Sequence, residues 1–168
     1  MCRTIVLNEM TIYSRKGDTG TTSLFDGTRV DKDDATIEVC GNIDELSALL
    51  GLVRAEELPG QFDPIILRIQ QELIAFCTDI FFDSAKISPE HIQQIEAEID
   101  RLESELPPLT QFVLPGKNRS SALLHLSRTV CRRAERSLVK LCRTKKKLPS
   151  LIAYLNRLSD LLFVMARK

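Results

Sequence analysis

From about Gly41 onward apolar residues recur at steps of three and four, the period of an α-helix with one buried face. Ile43, Leu46, Leu49, Leu50 and Val53 form the first stripe, and Asn42 precedes it as an N-cap whose side chain would take the Glu45 amide, with Glu45 reaching back in a capping box. That helix is expected to end near Glu57, before Pro59-Gly60. A second runs from about Asp63, with Pro64 in its first turn, through Ile66, Ile69, Leu73, Phe76, Cys77 and Ile80. Ser88-Pro89-Glu90 opens a third, where Ile92, Ile95, Ile99, Leu102 and Leu106 alternate steps of three and four before Pro107-Pro108. The fourth begins between Asn118 and Ser121 and aligns Leu124, Cys131, Ala134, Leu138 and Leu141; the fifth follows Pro149 with Leu151, Leu155, Leu158, Leu162 and Met165. Five helices joined by short links predict an all-α, five-helix bundle.

Two regions lack this period. In the first forty residues Gly17, Gly20 and Gly27 sit among Ser, Thr, Lys and Asp, an irregular segment. Its short apolar stretches, Thr11-Ile12-Tyr13 and Thr36-Ile37-Glu38-Val39, are expected either to pair as a small hairpin or to lie extended on the bundle. The second region, Gln111 to Arg119, is a loop that nevertheless holds Phe112, Val113, Leu114, Pro115 and Gly116. Apolar loop residues either fold back onto the core or meet a ligand or partner.

Composition narrows the function classes. With 168 residues, 43% of them hydrophobic, the chain can bury one sizeable core. Its 23 basic residues cancel 23 acidic ones, so no overall field favours a polyanion or an anionic membrane. Charge is nevertheless segregated: from Lys117 to Lys147 basic residues face Glu135 alone, whereas Glu72 to Glu105 is acidic except for Lys86 and Arg101. Lys145-Lys146-Lys147 reads as a solvated helix end, and nucleic-acid binding is not expected. The apolar runs are too short to span a bilayer and the first thirty residues hold no signal-peptide core, which predicts a cytoplasmic protein without a membrane partner. The five cysteines, without a CxxC pair, read as core residues and spare thiols. His91 and His125 lack a Glu three positions upstream, so no side-chain metal site is expected.

The candidate chemistry lies in three places. Ser14 to Ser23 combines glycines, cations and hydroxyls, the means to wrap a polyphosphate, and Arg29 and Lys32 could add charge; turns are built from the same residues, so an ordinary surface loop fits equally well. Arg128, Arg132 and Glu135 fall at i, i+4 and i+7 beside the apolar stripe of the fourth helix. Asn156 and Asp160 repeat the i, i+4 spacing on the fifth, beside Arg157. A buried polar network fixing helix register and a ligand site are both compatible with these helical positions.

Taken in order, the segments are more specific than any one alone. Ser14-Arg15-Lys16-Gly17-Asp18-Thr19-Gly20-Thr21-Thr22-Ser23-Leu24, Gly41-Asn42-Ile43-Asp44-Glu45-Leu46, Phe112-Val113-Leu114-Pro115-Gly116, Arg128-Thr129-Val130-Cys131-Arg132-Arg133-Ala134-Glu135-Arg136 and Tyr154-Leu155-Asn156-Arg157-Leu158-Ser159-Asp160 follow one another. With them the chain resembles the PduO-type ATP:cob(I)alamin adenosyltransferases, from about Tyr13 to Arg167. The resemblance implies one domain over residues 13–168, a disordered extension over residues 1–12, and a homotrimer with ATP and corrinoid at each subunit interface.

The resemblance also implies a reaction in which the cobalt of cob(I)alamin attacks the 5′-carbon of ATP and triphosphate leaves. Positioning and charge stabilisation are then the protein's tasks. By resemblance Ser14, Arg15, Lys16, Gly17, Asp18, Gly20, Thr21, Thr22 and Ser23, with Lys32, hold the triphosphate and Mg²⁺. Arg132, Glu135 and Asn156 orient the nucleotide, and Arg128, also at the nucleotide, pairs with Asp44 of the partner subunit. Phe112 keeps the lower axial ligand off cobalt and joins Arg132 and Glu135 as a catalytic residue. The implied partners are a reductase supplying Co(I) and an adenosylcobalamin-dependent enzyme taking the product. The alternative is a non-catalytic ATP- and corrinoid-binding trimer serving as sensor or cofactor carrier. Lys117, following Pro115-Gly116, departs from the usual pattern and adds a charge beside the corrinoid loop.

Overall fold

A computed structural model describes residue 13 and residues 15–82, 84–144 and 148–168. The chain divides into two compact units, one ending at Asp34 and one from Ala35 to Lys168. In the first, β1 (Thr21–Ser23) and β2 (Arg29–Asp31) pair antiparallel, with Thr22 opposite Val30. The reversal between them uses Gly27 at φ 86°, a left-handed backbone that a Cβ would strain, while Asp26 Oδ1 accepts the Thr28 N–H at 2.8 Å.

The second unit holds the five helices: α1 (Ala35–Arg54), α2 (Phe62–Phe82), α3 (Pro89–Glu103), α4 (Arg119–Thr144) and α5 (Pro149–Arg167). α1 packs on α2 and α4, α4 on α5, and α5 on α3. The apolar stripes meet in one core that includes Ile43, Leu46, Leu50, Ile69, Leu73, Phe76, Leu124, Ala134, Leu138, Leu155, Leu158 and Leu162. None of the described helices is long and apolar enough to cross a membrane.

Helix starts follow local chemistry. Ser88 precedes α3 in extended conformation with Pro89 at its first turn, and the Ser88 N–H donates to His91 Nδ1 at 3.2 Å. Asn118 caps α4, its Oδ1 accepting the Ser121 N–H at 2.7 Å. Between α2 and α3 the buried Asp79 carboxylate accepts the backbone N–H groups of Lys86 and Ile87, both at 2.8 Å, and the Ser84 hydroxyl at 2.5 Å. Burial alone would raise its pKa; these donors outweigh that and hold it below 3.8.

The structure corrects four expectations. α1 begins at Ala35, so Thr36 to Val39 is helical and forms no hairpin with Thr11-Ile12-Tyr13, of which Thr11 and Ile12 lie outside the described residues. Val39 is wholly buried, and its packing outweighs the weak helix propensity of a β-branched run. Asn42 is therefore no N-cap. It is buried mid-helix, donating from Nδ2 to Ser137 Oγ at 3.0 Å and accepting from Arg133 Nε at 2.8 Å. α1 also stops at Arg54 rather than near Glu57, and α3 at Glu103 rather than Leu106.

Candidate active site

In the N-terminal unit the chain turns back at Gly20, at φ 88°. The Lys32 N–H donates to the Gly20 carbonyl at 2.9 Å, laying the end of β2 beside the loop. A Cβ added at Gly17 would lie 3.3 Å from both Cε and Nζ of Lys32, so the absence of a side chain lets the ammonium rest over the backbone. Arg29 ties the loop together: Nη2 donates to the Lys16 carbonyl at 2.7 Å and to Thr21 Oγ1, and Nη1 to Ser23 Oγ at 3.3 Å. Two cations and two hydroxyls thus converge on glycine backbone, a constellation suited to an anion. Arg15 stacks on the Tyr13 ring at 5.5 Å, and Lys16 and Asp18 are exposed. Thr22, paired to Val30, occupies the middle of β1. Ser14 lies outside the described residues.

In the helical unit α4 and α5 carry the second group. Asn156 Nδ2 donates to Glu135 Oε1 at 3.2 Å, and Arg157 fixes Asn156 by donating to its Oδ1 at 2.6 Å while Nε reaches Glu96 at 2.7 Å. Arg132 is exposed and has no hydrogen-bond or ion-pair partner among the described residues. It lines, with Glu135, Arg136, Val139, Lys140 and Arg143, a groove of about 400 Å³. Asp160 is exposed on α5.

One heptad before Glu135, Arg128 lies over the Phe163 ring at 5.8 Å, itself one heptad beyond Asn156. Arg128 Nε is buried without a partner, and Asp44 on α1 is exposed without an ion-pair partner among the described residues. His125 is buried edge-on to Phe163 with neither ring nitrogen partnered. Burial first, and Arg128 second, lower its pKa. Leu109 to Val113, Arg128 and Phe163 line a groove of about 690 Å³. Phe112, on its rim, is 100% exposed and plugs nothing. Lys117 donates to the Lys168 carbonyl at 3.3 Å and lines a second groove with Phe112, Val113 and Leu114.

The sequence motifs therefore assemble within each unit: Gly17, Thr21, Ser23 and Lys32 in one, Arg128, Glu135 and Asn156 in the other. Arg29, one of the two cations expected to add charge to the loop, is found on it, whereas the sequence motifs did not single out Phe163. The signal for Phe163 was available, since positions 128 and 135 on α4 face 163 and 156 on antiparallel α5. The cysteines behave as core residues where they are buried: Cys131 donates to the Leu155 carbonyl at 3.3 Å, and burial pushes its thiol pKa up.

Comparison with known proteins adds four findings. Residues 12–168 match the family model described as cobalamin adenosyltransferase. A corrinoid adenosyltransferase of Citrobacter freundii is 41% identical over 163 residues, covering 93% of each chain. The corrinoid adenosyltransferase PduO of Salmonella typhimurium is also 41% identical, but there the match takes in 94% of this chain and only 49% of the relative, so the chain spans about half of that protein. A solved variant of a PduO-type ATP:corrinoid adenosyltransferase from Lactobacillus reuteri, complexed with cobalamin and ATP, superposes with a TM-score of 0.86 at 28% identity, covering 94% of this chain and 89% of that one.

Proposed function

The chain belongs to the cobalamin adenosyltransferase family, and we propose that it transfers the 5′-deoxyadenosyl group of ATP to the cobalt of a reduced corrinoid. In this reaction the Co(I) electron pair forms the bond to C5′, the C5′–O bond breaks, and triphosphate leaves with the electron pair of that bond. No protein nucleophile or general base is required. The supporting observation is the α4–α5 contact in which Glu135 and Asn156 are joined beside Arg132, which has no ion-pair partner among the described residues.

Each residue has a physical task in this scheme. Lys32, Arg29 and the Gly17–Ser23 loop take the phosphates and stabilise the charge that grows as triphosphate departs. Mg²⁺ would accompany the triphosphate, neutralising part of its charge; the oxygen donors Thr21, Thr22 and Ser23 are of the hard type it accepts. Arg132, Glu135 and Asn156 orient the nucleotide so that C5′ faces cobalt. Phe112 covers the lower face of the corrinoid, keeping off an axial ligand whose electrons would oppose reduction to Co(I). The working assembly is a homotrimer in which Asp44 pairs with Arg128 of the partner subunit, supplying the carboxylate that Arg128 lacks among the described residues. A reductase would deliver Co(I), and an adenosylcobalamin-dependent enzyme would receive the product.

The test mixes ATP, Mg²⁺ and chemically reduced cobalamin and follows the corrinoid spectrum. Catalysis gives adenosylcobalamin and one triphosphate per turnover. Binding of both ligands without turnover would overturn the proposal in favour of a sensor or carrier.

A further inference from the structure

α1 and α2 run antiparallel and touch through rungs one heptad apart. Arg54 Nε donates to Asp63 Oδ1 at 2.7 Å, and seven residues away on each helix Gln70 Nε2 donates to the Ser47 carbonyl at 2.9 Å. The next step of seven places Cys40 opposite Cys77, near enough for each thiol to shift the other's ionisation. Both are half-buried, unlike Cys131, and Asp44 lies one turn beyond Cys40. Nothing in the proposed adenosyl transfer uses them.

We propose that Cys40 and Cys77 form a reversible redox site that closes to an intrachain disulfide between α1 and α2 by exchange with a low-molecular-weight disulfide. Cys77 is the attacking sulfur: the interaction with Cys40 lowers the Cys77 pKa against burial and Asp44, while it raises that of Cys40. The Cys77 thiolate attacks one sulfur of the small disulfide and a first small thiolate leaves. Cys40 releases its proton to solvent and attacks the Cys77 sulfur of the mixed disulfide, expelling the second. The two protein thiols lose two protons and two electrons, and the small disulfide becomes two thiols.

The experiment incubates the full chain with oxidised glutathione, quenches with acid, alkylates free thiols and maps the peptides by mass. The expected result is a cross-linked Cys40–Cys77 peptide without glutathione, with both residues losing alkylation in step and regaining it with dithiothreitol. In Cys40→Ser the reaction should stop with glutathione on Cys77. The proposal is overturned if wild-type Cys77 keeps glutathione while Cys40 stays alkylatable, or if both stay alkylatable while Cys142 reacts.

Discussion

Truncating Phe112 to alanine separates packing from chemistry, because the side chain is 100% exposed in the folded chain. It contributes no buried area to the monomer, so Phe112→Ala should leave the melting temperature within about 2 °C of wild type. If the ring is covered by the corrinoid during turnover, burying it is worth about 1.5–3 kcal/mol, which corresponds to roughly a ten- to hundredfold loss of kcat/KM. That loss should be largest when Co(II) must be reduced on the enzyme, and ATP affinity by calorimetry should not change. The spectrum of bound Co(II) corrinoid with ATP should show four-coordinate cobalt in wild type and much less in the variant. A melting temperature lower by many degrees would mean that the ring packs in the assembly. Unchanged kcat/KM, or equal four-coordinate signal in both proteins, would refute the role outright.

Other perturbations follow from the same geometry. Lys32→Ala removes the ammonium over Gly17 and should weaken ATP binding roughly ten- to a hundredfold without lowering the melting temperature; equal calorimetric affinities would sink the phosphate assignment. Asp44→Ala should reduce the assembled mass seen by light scattering at micromolar concentration, and a variant that remains trimeric and fully active would contradict the Asp44–Arg128 pairing. Asp79→Ala orphans the N–H groups of Lys86 and Ile87 and should cost roughly 2–4 kcal/mol in chemical denaturation at neutral pH. Because the folded Asp79 pKa lies below the ordinary 3.8, this difference should be fully present above about pH 5 and shrink as pH falls through the folded value. A difference independent of pH would show that the charge is irrelevant.

The helical stripes were legible because burial and period coincide: Ile66, Ile69, Leu73 and Phe76 are buried as their spacing requires. The first two turns of α1 were not legible, because Thr36, Ile37 and Val39 are β-branched and Gly41 interrupts the stripe, while tertiary burial of Val39 overrides both. Asn42 misled because the side chain that favours a cap also serves as a buried hub when a partner arrives from afar, here Arg133 and Ser137 on α4. The β1–β2 hairpin carried one usable signal, Asp26-Gly27, but its strands are too short and polar to show alternation. Nothing local marks Glu72, buried on α2, as the acceptor of the Tyr154 hydroxyl at 2.7 Å across 82 residues of chain. The candidate site was readable as separate motifs, whereas the stacking of Arg128 on Phe163 required knowing which helices are neighbours.

The rungs joining α4 to α5 have a consequence for how this sequence can change. Glu135 to Asn156 and Arg128 to Phe163 hang on the same helix as the core residues Leu124, Cys131, Ala134 and Leu138. One residue inserted between Arg128 and Arg132 would rotate everything downstream by about 100°, turning Glu135 from its partner and swinging Ala134 and Leu138 out of the core together. Reading-frame-preserving insertions and deletions should therefore be filtered out of α4 as folding failures before they can be tried as functional variants. The spacing of Arg128, Arg132 and Glu135 is locked to the phase of the hydrophobic repeat, so change there can come by substitution, while length variation should fall in segments such as residues 55–61 and 104–118.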